Sequence, residues 1–309
     1  GAIAAIAALM TTGLVAGCGR GAPATVGEST ATGASAPIGP SECVGTLSGP
    51  DTHQYRQVNG VDPNQLSLDV YRHPGSSLCP VLVWVHGGGW SRGDKQGNAI
   101  DTKVQWAGEH GMALVSVNYR LADGSGVVWP GNGQDVAAAF AWVRAHAEEL
   151  GIDAAKMVLA GHSAGAQLAT IVSTSPTLLA GAGLSPIDIA CTISADTAAY
   201  DLTAPQPLVQ PLIKAAFGTD PAVLSDASPL HQVRSHPMSS TDTLVLTRGR
   251  RPRVGSAEQY AAAIRGAGGS AQVLDVSPYS HAQVNARFGA PGETVETPTI
   301  ETFLRTCLR

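Results

Sequence analysis

Two spacings of apolar residues alternate along most of this chain. Gln65-Leu66-Ser67-Leu68-Asp69-Val70-Tyr71 sets polar and apolar residues in turn, the pattern of a strand with one buried face. Pro80-Val81-Leu82-Val83-Trp84-Val85 is apolar without interruption, as befits a strand covered on both faces. Short β-prone runs of the same kind recur at residues 112–117, 157–160, 189–194, 243–247 and 271–276. Helical spacing falls between them, most clearly over 133–150 and 257–266. Strands alternating with helices predict an α/β chain whose mostly parallel, doubly wound central sheet is flanked by helices. There is no internal repeat and no sign of a second folded domain. Residues 196–242 are too many for a plain crossover and include proline-rich and helical runs, so they are expected to form a small lid or substrate wall.

The amino end follows neither spacing. Residues 1–17 are uncharged, largely apolar and too few to span a bilayer comfortably. Val15-Ala16-Gly17-Cys18 resembles the bacterial lipobox, which implies a partial signal peptide at 1–17, cleavage before Cys18 and a lipid on its sulfur. Plain secretion is the alternative. From 18 to 41 the chain is dominated by Gly, Ala, Pro, Ser and Thr, a composition that cannot offset the entropy of ordering, and it is expected to be a tether. The folded domain is then 42–309.

Composition narrows the classes. The chain has 309 residues, 44% hydrophobic and 14% charged, with a net charge of -5 and no basic stripe, which argues against nucleic acid as a partner. No His or Cys cluster has metal-ligand spacing, so neither metal nor cofactor is expected. Of five cysteines, assigning Cys18 to lipid leaves Cys43, Cys79, Cys191 and Cys307, an even set that in an exported chain predicts two disulfides. Three pairings are open. Cys43 with Cys79 and Cys191 with Cys307 is preferred, because each pair would join segments at the bottom edge of the expected sheet; buried free thiols are the other reading.

The chemistry concentrates at the ends of the expected strands. The run at 157–160 leads into Gly161-His162-Ser163-Ala164-Gly165 and then an apolar helical stretch. Strand, abrupt glycine-flanked turn and helix is the setting in which a G-x-S-x-G serine stands clear of the sheet, with the helix N-terminus beneath it. The strand at Val81 runs into His86-Gly87-Gly88-Gly89-Trp90, and Ser116-Val117-Asn118-Tyr119-Arg120-Leu121 follows. Taken together, these motifs over about Leu66 to Leu304 resemble the α/β-hydrolase serine esterases that carry an HGGG oxyanion loop, among them carboxylesterases and the acetyl-xylan and feruloyl esterases.

The resemblance implies an α/β-hydrolase catalytic domain with Ser163 as nucleophile. It makes the backbone amides of Gly88, Gly89 and Ala164 the oxyanion donors and His86 a loop anchor. Asp135 fits a helix cap or a structural bond to the Tyr119-Arg120 segment. His281, just past the last strand, has the position and chain order of the general base. The acid departs from the pattern. The resembled family usually carries it after the strand at 243–247, but this chain reads Arg248-Gly249-Arg250-Arg251-Pro252-Arg253, without a carboxylate. Asp196, one strand earlier, is the preferred replacement; Asp275 and Glu258 are the alternatives. The four arginines are expected on a loop at the same rim, either solvated or drawing in an acidic substrate or lipid headgroup.

The expected function is therefore serine-dependent hydrolysis of a carboxylic ester through an acyl-enzyme, on a small-molecule, polysaccharide or lipid ester. Trp90 and Trp129 are candidates to line an aromatic pocket. The expected location is the outer face of the bacterial cell membrane, reached through the lipid anchor only. A catalytically decayed, lipid-tethered binding protein is the alternative, motivated only by the missing acid.

Overall fold

In the computed structural model, residues 36–309 are described, except 76, 98, 123, 125, 127, 205, 207–208 and 238–240. The expected signal segment, Cys18 and the tether as far as residue 35 lie outside the described residues. The strands are β1 (Ser48–Gln54), β2 (Ser67–Arg72), β3 (Cys79–Val85), β4 (Ala113–Val117), β5 (Ile152–His162), β6 (Cys191–Ala195), β7 (Thr243–Thr247) and β8 (Ala271–Asp275). They form one sheet in the order β1-β2-β4-β3-β5-β6-β7-β8. β2 runs antiparallel to β1 and to β4, and every other neighbouring pair is parallel.

The α-helices among the described residues are α1 (Ile100–Glu109), α2 (Gly131–Ala145), α3 (Ala164–Thr174), α4 (Pro176–Gly181), α5 (Gln210–Phe217), α6 (Pro221–Asp226), α7 (Pro229–Ser235), α8 (Arg251–Gly266), α9 (His281–Arg287) and α10 (Thr297–Cys307). The uninterrupted apolar strands sit at the centre of the sheet because both of their faces are covered. Val81, Val83 and Val85 of β3 join a core with Phe140 and Val143 of α2 and Leu168 and Ile171 of α3. Leu82 and Trp84, the alternate positions, face a second core with Trp106 of α1, Phe288, and Ile300 and Leu304 of α10. Burial of each such side chain contributes about 1.5–3 kcal/mol.

Two elements depart from the expectation. β1 has no apolar periodicity and is mostly exposed; pairing with β2 makes it a strand. α8 begins at Arg251, six residues before the apolar spacing becomes regular, because Arg253 in its first turn is anchored to Asp196 across the sheet edge. The four arginines therefore do not share one loop: Arg251 and Arg253 are helical.

Both preferred disulfides are present, Cys43–Cys79 with Cα atoms 5.8 Å apart and Cys191–Cys307 with Cα atoms 6.2 Å apart. Cys79 opens β3 and Cys191 opens β6, so both bridges lie at the starts of the strands, opposite the ends that carry Ser163 and Asp196. Residues 36–41, expected at the end of the tether, belong to the folded unit. The backbone N–H groups of Ile38 and Gly39 donate to His110 O at 2.9 and 3.0 Å. Arg305 Nη2 donates to Ala36 O at 2.6 Å.

Candidate active site

Three strand ends deliver three side chains to one point. Ser163 follows the last residue of β5, Asp196 follows β6, and His281 heads α9 after β8. At Ser163 the backbone takes φ 58° and ψ -118°, a conformation few side-chain-bearing residues adopt, and the chain turns at once into α3. The glycines on either side have a steric reason. A Cβ at Gly161 would run into Gly165 O, and one at Gly165 would run into Val85 O, so the turn closes only with hydrogen in both places. Ser280 caps α9 in a reciprocal pair with Gln283, and this fixes the helix that presents His281.

The three groups are hydrogen-bonded in series. Ser163 Oγ lies 2.8 Å from His281 Nε2, and His281 Nδ1 lies 2.6 Å from Asp196 Oδ2. An ionised carboxylate only accepts, so the proton sits on Nδ1 and Nε2 is left to accept from the serine hydroxyl. Asp196 is fully buried. Burial alone would raise its pKa, but the hydrogen bond from His281 and the charge and hydrogen bond of Arg253 outweigh it and hold it down to about 2. The alternatives are elsewhere: Asp275 is exposed and accepts from Ser277 N–H at 2.9 Å, and Glu258 is exposed on α8.

The glycine loop after β3 closes over the serine. A Cβ at Gly87 would stand 3.1 Å from Ser163 Cβ, so the loop touches the elbow. Gly88 and Gly89 have φ values of 121° and 62°, open only to glycine at low cost. Among the described residues, no hydrogen bond takes the backbone N–H of Gly88, Gly89 or Ala164. His86 anchors the loop. Its ring stacks on Tyr119 at 4.5 Å, its Nδ1–H donates to Gly87 O at 2.7 Å, and its own carbonyl accepts from Tyr119 O–H at 3.0 Å. Asp135 binds Arg120 through the backbone N–H and two guanidinium nitrogens, and also binds Arg56.

Sequence reasoning missed one neighbour of the site, and the partner of two arginines that it placed at the rim. His162 faces His281 with ring centroids 4.5 Å apart, and its Nε2–H donates to His281 O at 2.9 Å. Burial first, and the facing His281 second, hold its pKa down to about 3, so it stays neutral beside the histidine it supports. The two arginines are Arg248 and Arg253, both bound to Asp196. The only cue in the sequence is that arginines stand where a carboxylate was expected. His162, Asp196 and His281 offer three potential metal-ligand atoms within 4.8 Å, but all three residues are already engaged in the hydrogen bonds just described.

Ser163 and His281 open on a cavity of about 700 Å³ whose wall includes Gly88, Gly89, Trp90, Gln206, Val209 and Leu212. The last three come from the long segment between β6 and β7, which therefore supplies one wall of the cavity. Trp90 is at the serine, whereas Trp129 lines a separate cavity of about 350 Å³ and donates to Asp226.

The BD-FAE family model matches residues 68–236, more than half of the chain. Among curated proteins, esterase LipQ of Mycobacterium tuberculosis is 29% identical over 231 residues, covering 69% of this chain and 53% of LipQ. The probable carboxylic ester hydrolase LipM of the same organism is 37% identical over 112 residues, covering 35% of this chain and 25% of LipM. The chain thus spans about half or less of the length of these relatives. Among solved structures, Thermogutta terrifontis esterase 2 phosphonylated by sarin superposes with a TM-score of 0.65 at 21% identity, covering 84% of this chain and 92% of that one.

Proposed function

The chain belongs to the BD-FAE family, and from that premise we propose that it is a serine-dependent carboxylic ester hydrolase acting through an acyl-enzyme. The α/β-hydrolase fold, shared with the esterase structures it matches, positions the chemistry. The observation that carries the proposal is the continuous hydrogen-bonded series from Ser163 through His281 to Asp196, placed under a glycine loop whose Gly88 and Gly89 amides no hydrogen bond claims among the described residues. Ser163 Oγ attacks the ester carbonyl carbon while its proton passes to His281 Nε2. Asp196 fixes the imidazole and balances the imidazolium. Negative charge on the carbonyl oxygen is received by the N–H groups of Gly88, Gly89 and Ala164, the last at the N-terminus of α3. His281 returns the proton to the departing alkoxide. Water then attacks the acyl-Ser163 ester along the same path, freeing the acid and restoring the serine.

The substrate is a small or exposed ester that enters a cavity of about 700 Å³. LipQ and LipM, named as an esterase and a probable carboxylic ester hydrolase, support this class. The reading as a decayed binding protein has no support among them. Its one motive was the lack of a carboxylate after β7, and Asp196 stands 2.6 Å from His281 instead. We further infer export and anchoring through a lipid on Cys18, supported by the lipobox-like sequence and the two disulfides. No helix among the described residues is long and apolar enough to cross a membrane.

The test is labelling with a fluorophosphonate, followed by peptide mapping. Modification confined to Ser163, and abolished in Ser163→Ala, is expected; absence of labelling in folded protein would overturn the proposal. Metabolic labelling with an alkynyl fatty acid tests the anchor, which is expected to be lost in Cys18→Ser.

A further inference from the structure

Asp196 is held in an unusual way. Its Oδ2 accepts from His281 Nδ1 at 2.6 Å and from Arg248 Nε at 2.7 Å. Its Oδ1 accepts from Arg253 Nε at 2.6 Å, and its backbone carbonyl accepts from Arg253 Nη2, also at 2.6 Å. Among the described residues, no backbone N–H donates to either carboxylate oxygen. The aspartate is fully buried, whereas each arginine side chain keeps 25% of its surface exposed, so both cations reach inward from the rim. Asp196 also has φ 52°, outside the ordinary range for a residue with a side chain. Arg253 spans its carboxylate and its own carbonyl, and so ties the side-chain torsions to that backbone conformation.

The placement of these arginines is informative. Arg248 is the first residue after β7, the strand end where the sequence comparison led one to expect the acid itself. Arg253 lies in the first turn of α8, where a cation is disfavoured by the helix dipole, so its tertiary partner must outweigh that local cost. Two residues in locally unfavourable or unexpected positions converge on one carboxylate.

We propose that Arg253 and Arg248 are positioning residues of the hydrolase, a guanidinium clamp that orients an acid displaced from the end of β7 to the end of β6. The inference rests on Ser163, His281 and Asp196 forming the reacting series. Arg253 carries most of the effect: among the described residues it alone holds Oδ1 and the backbone carbonyl of Asp196, whose N–H is held by Leu246 O. Arg248 acts on the oxygen shared with His281, and its removal also takes a positive charge away from the imidazolium, which offsets part of the loss. Arg253 also lines the cavity, but in this role neither arginine exchanges protons or bonds the ester, so the clamp acts on turnover rather than on substrate affinity.

The experiment compares wild type with Arg253→Ala, Arg253→Lys and Arg248→Ala on one neutral chromogenic ester, well below the unfolding temperature of each. A displacement of Asp196 by a fraction of an ångström is expected to lower kcat about 10- to 100-fold in Arg253→Ala, with KM within about twofold. Arg248→Ala is expected to lose less, and Arg253→Lys is expected to recover part of the loss. Guanidinium or ethylguanidinium at tens of millimolar should restore part of kcat in Arg253→Ala and leave wild type unchanged. If wild type takes the fluorophosphonate at Ser163 but Arg253→Ala turns over normally, the clamp is overturned while the hydrolase reading stands. Loss in Arg253→Ala that tracks only the fraction folded, with no rescue by lysine or guanidinium, also overturns it. If Arg253→Ala does not fold, Arg253→Lys and Arg253→Gln carry the comparison, and equal kcat in wild type and Arg253→Gln overturns the clamp. Failure of wild type itself to label at Ser163 would instead defeat the underlying reading.

Discussion

At Ser163 the backbone holds a conformation that costs on the order of 1–3 kcal/mol, and the tight glycine packing on both sides keeps it there. Asp196 shows the same coupling of conformation to role. Asp196→Asn keeps the shape but gives His281 Nδ1 a partner that no longer requires the proton there, and kcat is expected to fall by about 10³- to 10⁴-fold in steady-state assays. The native Asp196 pKa lies below its unfolded value, so its ionisation stabilises the fold above about pH 4 and that contribution is lost as pH falls toward 2. It amounts to about 2 kcal/mol, and acid unfolding followed by circular dichroism should be flatter over this window in the asparagine variant. Glu296 behaves in the opposite sense. Both of its carboxylate oxygens are buried without a hydrogen-bond partner among the described residues. Burial first and Glu293 second push it up to about 8, against the opposing charge of Lys103. The native state keeps a proton that the unfolded chain has released above about pH 4.5, so stability falls as pH rises through that interval. Glu296→Gln is expected to match wild type near pH 4.5 and to gain up to about 1.4 kcal/mol per pH unit from there to about 7.5, measured by urea unfolding.

Among the elements, α5 shapes the cavity most directly. A Cβ at Gly89 would stand 2.7 Å from Leu212 Cδ1, so this side chain closes the space beside the glycine loop. Leu212→Ala should open that space and shift the preference in kcat/KM toward longer chains of a p-nitrophenyl ester series, each methylene placed there contributing about 0.8 kcal/mol. An unchanged chain-length profile would place the ester's chain elsewhere. β3, β5 and β6 were legible as continuous apolar runs because two layers of helices cover them. β1 was not, since Ser48, Gly49, Pro50 and Asp51 have no apolar face and only the ladder to β2 defines it. The start of α8 was hidden for an electrostatic reason: arginines in a first helical turn read as loop until Asp196 is placed beside them.

For the molecule as a whole, the disulfides clamp the edge of the sheet remote from the chemistry. Cys191–Cys307 closes 116 residues of chain and ties α10 to the start of β6, the strand that ends at Asp196. Cys307→Ser is expected to lower stability by about 2–5 kcal/mol in urea unfolding, with fluorophosphonate labelling retained where the protein is folded. The sequence alone determined the strand and helix alternation, the serine elbow and the glycine loop, because each depends on neighbours within a few residues: burial period, steric room at a turn, a cap. It also located His281 at the edge that carries Ser163, since parallel strands end on one edge and this histidine follows the last of them. Tertiary structure alone decided which carboxylate meets His281. Asp196, Asp275 and Glu258 are all carboxylates near strand or helix ends, and only the order β6-β7-β8 and the turn at φ 52° bring one of them against His281. The same holds for Arg248 and Arg253, whose guanidinium groups meet a partner more than fifty residues away. Long-range charge pairing leaves no period in a sequence, because its cause is the distance across a folded sheet.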